Sequence, residues 1–333
     1  MRPELLTFCE NFIKNRDVVK SVFPMENSYM YPICAAIFTS KGMVIDADKL
    51  RECNLIFKGR VGAFSSFRGI SRPVIVSMIA SDKAPDKRLE NALLAYDALK
   101  KRFTSGSYLP LGAMILSGET DETTFSDVTA KAREIYELMR KNHPFLTSEE
   151  DIVYAILFAL GGERCSDSII EMERIYNGLK KKFRSSNDLQ ALSHVLALCD
   201  GDADEKCEKA VALFDSLREN KLRYGAYREL ATLGILASLP ASREELLIDM
   251  KEVNAFLLTQ KGFGSFFGLD TQARLMIAAM IVSDSRLDSI KSCTASTTAA
   301  ISAQIAAAAQ QAALIAAQNA ALCATIAAQS SAH

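Results

Sequence analysis

The chain has 333 residues, 49% of them apolar and 24% charged, with 39 Lys plus Arg against 40 Asp plus Glu and a formal net charge of −1. That balance excludes a global field selecting nucleic acid or an anionic surface, and the apolar fraction excludes a disordered chain. Sixteen glycines and eight prolines are few for the turns of a β-sandwich or barrel, so the composition points to helix.

The stretch from Met1 to Phe23 carries Glu4, Glu10, Lys14, Arg16 and Asp17 and holds no apolar run of the secretory kind. The eight cysteines show no CxxC spacing, so reduced thiols and a cytoplasmic location are expected.

A repeat then organises the chain. Segments Tyr96–Phe103, Tyr136–His143, Tyr176–Phe183 and Phe214–Lys221 each open on an aromatic anchor and run into a basic turn, with the anchors 40, 40 and 38 residues apart. A second helix follows each anchor and closes on an apolar run that starts with a small residue: Ala36, Ser77, Ala113, Ala155, Gly234 and Ala279, with His194 as the exception. The predicted fold is all-α, about seven antiparallel helix hairpins of ~40 residues stacked as an α-solenoid, with an α/α toroid as the alternative. Residues 1–291 form the helical-repeat domain and 292–333 an Ala-rich helical tail.

Capping chemistry supports helices in this register. Thr147 with Glu150 and Ser242 with Glu245 have the spacing of capping boxes, and Asn187 with Gln190 is a weaker version. Gly42, Gly118, Gly161 and Gly201 stand where second helices are expected to end. Gly62–Phe67 and Gly262–Phe267 echo each other across 200 residues, which supports a common origin of the units.

Charge is sorted by turn. Turns within hairpins are basic, as at Lys100–Arg102 and Lys180–Lys182, whereas turns between hairpins are acidic, as at Glu119–Glu122 and Asp200–Glu205. Helix dipoles account for such sorting. The alternative is a basic edge that docks an acidic partner through Lys180, Lys181 and Lys182.

Candidate chemistry follows in chain order. Arg68, Ser71 and Arg72 at a predicted helix N-terminus form an anion-binding candidate. His143, before Pro144, reads as a helix cap more readily than as a catalytic group. His194 is the one imidazole at a position otherwise small, and Gln190, one turn before it, has Asp151 as its counterpart in the preceding unit. If those helices adjoin, Asp151 would orient His194 as a base; the alternative is a satisfied core histidine. The acidic run after Cys199 fails the calcium-loop pattern, with Glu205 at position six and Val211 at position twelve. Gln260–Gly264 lacks the strand and the terminal motif of a phosphate loop. No metal site and no cofactor are expected.

From residue 292 onward there is no acidic or basic side chain except the terminal His333, and Ala dominates. Ile301, Ile305, Ala308, Ala312, Ile315, Asn319, Leu322 and Ile326 follow a heptad seam, which points to self-association through residues 293–333. Membrane contact is the less favoured reading, because Gln304, Gln310, Gln311, Gln318 and Asn319 would need partners in hydrocarbon.

With Asn142–Thr147, Gln190–Leu198 and Gln260–Gly264 in this order ahead of an Ala-rich tail, the chain resembles a bacterial family catalogued as domain of unknown function 4003. The resemblance implies a cytoplasmic bacterial protein and supplies no activity, cofactor or catalytic residue. The function expected from the residues is a helical-repeat scaffold for a protein or peptide partner. The alternatives are a hydrolase or lyase around Asp151 and His194, and a membrane-associated adaptor acting through the tail.

Overall fold

Two kinds of helix alternate along the chain, and their side-chain patterns assign them to two layers. The computed structural model describes residues 1–69, 71–161, 164–184, 186–227, 229–264 and 268–289. Fourteen α-helices lie among the described residues, in seven consecutive hairpins. These are α1 (Pro3–Val22) with α2 (Met30–Thr39), α3 (Ala47–Arg60) with α4 (Arg72–Ala80), α5 (Pro85–Lys100) with α6 (Leu109–Glu119), and α7 (Phe125–Asn142) with α8 (Asp151–Leu160). There follow α9 (Cys165–Leu179) with α10 (Asn187–Ala197), α11 (Ala203–Glu219) with α12 (Leu230–Ala237), and α13 (Arg243–Leu258) with α14 (Thr271–Ser289). The chain is all-α, as its composition and periodicity imply.

First helices are amphipathic. In α7 the buried residues Phe125, Thr129, Ala132, Ile135 and Met139 form one stripe at spacings of three and four, and the opposite side is charged. Second helices other than α14 are shorter than their partners, and they are buried on most sides: every residue of α2 and of α12 is buried. A helix apolar on every side needs neighbours on every side. The second helices therefore form an inner layer, each packed on the next, and the first helices wrap them.

The array closes on itself. α14 packs against both α1 and α2, so the inner layer is a ring in which the last hairpin meets the first. Across the junction Asp249, buried in α13, accepts hydrogen bonds from Arg2 at 3.0 Å and from Arg286 at 2.7 Å. The toroid held as the alternative thus replaces the open solenoid. The physical reason lies in α2 and α14: open arrays need end units with a polar outer face, and these two are apolar where such a face would be.

Aromatic pairs stitch successive turns together. Phe67 meets Tyr96 with ring centroids 5.0 Å apart, Phe103 meets Tyr136 at 5.7 Å, His143 meets Tyr176 at 4.4 Å, and Phe183 meets Phe214 at 5.0 Å. Three of the four are edge-to-face, a geometry that contributes about 0.5–1.5 kcal/mol beyond burial. The inner layer is tight where its small residues fall: a Cβ on Gly234 would lie 2.9 Å from Leu192 Cδ1, and one on Gly112 2.6 Å from Ile156 Cδ1.

The caps differ in part from their expected form. Ser242 and Glu245 make the complete capping box. At α10 the cap is Ser186, whose hydroxyl accepts from the Leu189 N–H, one residue before the expected Asn187. At α8 neither Thr147 nor Glu150 caps through its side chain; the Asp151 carboxylate instead accepts from the Ser148 N–H at 2.8 Å. Gly42 and Gly201 take positive φ of 65° and 114°, whereas Gly118 lies inside α6 and Gly161 at φ −66° continues helical backbone. The expectations for the tail, self-association and membrane contact through residues 293–333, fall outside the described residues. Among those described, no helix is long and apolar enough to cross a membrane.

Candidate functional site

Because the hairpins stand side by side, the turns joining outer to inner helices share one face of the ring, and the turns joining hairpins share the other. On the first face three loop tips point large apolar side chains into solvent: Met25 is 94% exposed, Phe64 104% and Phe145 97%, the highest among large apolar side chains of the described residues. Tyr227, in a fourth such turn, is 56% exposed. Around them stand Lys58, Arg60, Lys100, Lys101, Arg102, Arg140, Lys141 and Lys181, all exposed. Exposed apolar tips thus stand within a cationic surround on this face. The sequence signal was a large hydrophobe where only polar turn residues are needed, as in Gly62-Ala-Phe64 and Pro144-Phe145.

Lys180, Lys181 and Lys182 lie on this face with unequal freedom. The Lys182 ammonium is bound to both carboxylate oxygens of Asp215, at 2.5 and 2.7 Å, and lies 5.8 Å from the Phe214 ring centroid. Lys180 donates to the Asn177 side chain at 2.7 Å. Lys181 is exposed with no partner among the described residues.

Arg68, Ser71 and Arg72 do not converge. The Arg68 guanidinium turns back to donate to the carbonyls of Lys58, Val61 and Gly62, satisfying the end of α3. Arg72 pairs with Glu26 and lies over the Phe23 ring at 5.8 Å. The Ser71 hydroxyl is buried without a hydrogen-bond partner. The anion cradle expected from their spacing is spent on holding turns together, because carbonyls at the end of α3 lie nearer than any solvent ion.

The ring brings Asp151 and His194 together as the repeat register required, α8 beside α10. His194 Nδ1 lies 3.4 Å from Asp151 Oδ1, with the two residues 2% and 4% exposed. Tyr154 and Phe158 enclose the imidazole, with ring centroids 5.2 and 6.5 Å away. Burial raises the Tyr154 hydroxyl far above its ordinary pKa, which holds it neutral at any physiological pH. Gln190 donates to Thr147 Oγ1 at 3.0 Å and thereby ties α10 to the turn before α8. This is a sealed polar contact inside an apolar layer.

His143 occupies the turn position that Phe103 and Phe183 fill in neighbouring hairpins. Its Nε2 lies 2.8 Å from Glu173 Oε1, its ring stacks on Tyr176, and its carbonyl accepts from Leu146 and Thr147. It ends α7 and orders the next turn. The acidic run after Cys199 acts likewise: Asp202 accepts from the N–H groups of Asp204 and Glu205, and these bonds, with the Arg174 guanidinium nearby, hold its carboxyl below the usual carboxylate range. Among the described residues no group of three or more His, Cys, Asp or Glu side chains is placed to hold a metal ion.

Comparison with known proteins identifies a family and adds no activity. A profile of the family described as "Protein of unknown function (DUF4003)" matches residues 16–313. The chain belongs to this family. It is also 24% identical over 199 residues to "Uncharacterized protein YeaA" of Bacillus subtilis (strain 168). That match covers 57% of this chain and spans 60% of the length of the relative. No solved structure matches the chain. For this member of DUF4003, functional inference rests on its own residues.

Proposed function

We propose that the chain is a ring-shaped binding scaffold that seats an acidic protein partner on the face formed by the turns within hairpins. The observation that carries this reading is the exposure of Met25, Phe64 and Phe145 at loop tips among exposed lysines and arginines. Burying one such side chain stabilises a complex by roughly 1.5–3 kcal/mol, and the cationic surround steers an acidic surface towards it. The sealed state of His194 and Asp151 supports a structural role for that pair, in preference to a hydrolase or lyase centre. Six free cysteines among the described residues support a cytoplasmic location, and self-association through residues 293–333 belongs to the same proposal.

The experiment is crosslinking in the native cell extract at low salt, with a lysine-reactive reagent and mass spectrometry. Crosslinks from Lys58, Lys101, Lys141 and Lys181 to one acidic protein are expected, and the double variant Phe64→Ser, Phe145→Ser should lose them while keeping its melting temperature. Anionic vesicles serve as a comparison arm. Crosslinks confined to the outer helices, or equal capture by the double variant, would defeat the reading.

A further inference from the structure

The repeat supplies its own comparison for a second site, on the opposite face. Eight residues before the anchors Tyr96, Tyr136, Tyr176 and Phe214 stand Arg88, Val128, Ser168 and Lys206. Arg88 runs inward beneath the ends of the inner helices, where its guanidinium donates to the Ser117 hydroxyl at 2.8 Å and to the Met114 carbonyl. Gly118 makes room for it: a Cβ there would lie 2.5 Å from Arg88 Nη2. Lys206 is likewise buried, donating to the Cys199 carbonyl at 2.9 Å and pairing with Glu171 at 2.9 Å. In each case a cation meets the carbonyl end of an inner helix, where the helix dipole is negative: Arg88 that of α6 in its own hairpin, and Lys206 that of α10 in the hairpin before it.

The cation is missing at Val128, which is apolar, and at Ser168, which is polar but uncharged. Ser168 is only 1% exposed, and its hydroxyl has no hydrogen-bond partner. Where a guanidinium sits in the hairpin of Arg88, this hairpin has a cleft of 640 Å³ lined by Ser168 itself. Leu157, Phe158 and Leu198 give the cleft an apolar floor. Glu119, Asp167, Glu171 and Asp200 line the cleft together with Lys206, which pairs with Glu171 at 2.9 Å, while Arg164 pairs with Asp167 at 3.0 Å. The cleft also gathers the carbonyl ends of three helices, since α6 ends at Glu119, α8 at Leu160 and α10 at Ala197.

We propose that this cleft binds an organic cation, a primary ammonium on an apolar stem, against Ser168 and beside the Lys206 ammonium. The acidic rim and the helix ends recognise the charge, the orphan Ser168 hydroxyl accepts one N–H, and the Leu157–Phe158 floor packs the stem. A divalent metal fits less well, because the floor is apolar and the carboxylates stand at the rim. The ammonium has two sources, a free amine or a lysine side chain of a protein, which present the same group.

The test is isothermal titration of the full chain at constant ionic strength with four probes: cadaverine, N-acetyl-lysine methylamide, 1-pentanol and calcium chloride. Saturable binding of an ammonium probe is expected, with none by the neutral alcohol. Tighter binding of cadaverine assigns a free amine, and tighter binding of the lysine amide assigns a protein side chain. Asp200→Asn should weaken binding by about fivefold, the loss of one charge near the surface. Ser168→Lys, which tethers an ammonium in the cleft, should abolish it; if that variant fails to fold, Ser168→Ala and Asp200→Asn carry the test. No saturable binding by either amine to about 10 mM, a response matched by sodium chloride, unaltered affinity in Asp200→Asn, or tighter binding of calcium would each overturn the proposal.

Discussion

Arg16 stands in α1 where three other hairpins carry a tyrosine, and its guanidinium lies 5.2 Å from the centroid of the Phe263 ring while Nη1 donates to the Lys261 carbonyl at 2.7 Å. The register is that of the anchors: Arg16 precedes Phe23 by seven residues, as Tyr96 precedes Phe103. The ring contacts that join hairpins two to six thus have a counterpart across the closure, a cation over a ring, with the Gln260–Gly264 turn serving as the far half of the clasp.

Removing the clasp should loosen closure specifically. Arg16→Ala forfeits a charged hydrogen bond and a cation–π contact, a loss of about 2–4 kcal/mol in chemical denaturation. Arg16→Tyr, which restores the ring found at Tyr96 and Tyr136, should lose less than half as much. Equal losses in the two variants would mean that the carbonyl bond alone matters.

The Asp151–His194 contact predicts coupled stability. His194→Ala leaves a cavity and a buried carboxylate short of its neighbour, a cost of about 3–5 kcal/mol. In a double-mutant cycle with Asp151→Ala the two effects should fall short of additivity by about 1 kcal/mol or more. Additive losses in denaturant titrations would show the two side chains to be independent.

Lysine neutralisation on the basic face should separate binding from folding. Lys181→Ala and Lys180→Ala are expected to leave stability within about 0.5 kcal/mol while reducing salt-sensitive capture of the partner. Lys182→Ala should instead lower stability, because Lys182 bridges to Asp215 in the next hairpin. Thermal melts beside pull-downs at two salt concentrations read both effects.

Thiol chemistry follows from burial. Burial pushes Cys9 and Cys34 from an ordinary value of 9.0 up to about 12, so the thiolate is suppressed about a thousandfold at pH 8. Native-state alkylation should leave both unmodified over the hours in which an exposed thiol reacts fully, and denaturant should release them. Rapid labelling of Cys34 in the folded protein would contradict its place in α2.

At low pH the caps set the direction. The Asp202 and Glu245 carboxyls are held below their ordinary range chiefly by backbone N–H groups of their own caps. A depressed carboxyl contributes stability above its unfolded pKa and loses it as pH falls through the folded value, so stability should drop below about pH 4. Asp202→Asn should make that drop shallower in acid titrations followed by circular dichroism.

The hairpin repeat was legible because anchors and small residues recur at fixed spacing, and the contact between Asp151 and His194 followed from the same register. Closure was not legible, since it depends on small rotations summed over seven hairpins, which no single segment carries. The acidic cleft hid for another reason: Ser168 is unremarkable alone and informative only beside Arg88 and Lys206, eight residues before their anchors. Arg68 and Arg72 misled because sequence proximity says nothing of which carbonyl or carboxylate each guanidinium reaches first.

The contacts of α14 with α1 and α2 set an order of events in the making of the protein. Helix α2 is apolar on all sides; α1 and α4 cover part of it early, but the flank that α14 covers waits for residues more than 230 positions later. Until α14 emerges, the growing chain carries an exposed apolar flank at each end. The hairpin that is synthesised first is thus the one whose packing is finished last, and a truncated product lacking the seventh hairpin would be a substrate for chaperones and proteases.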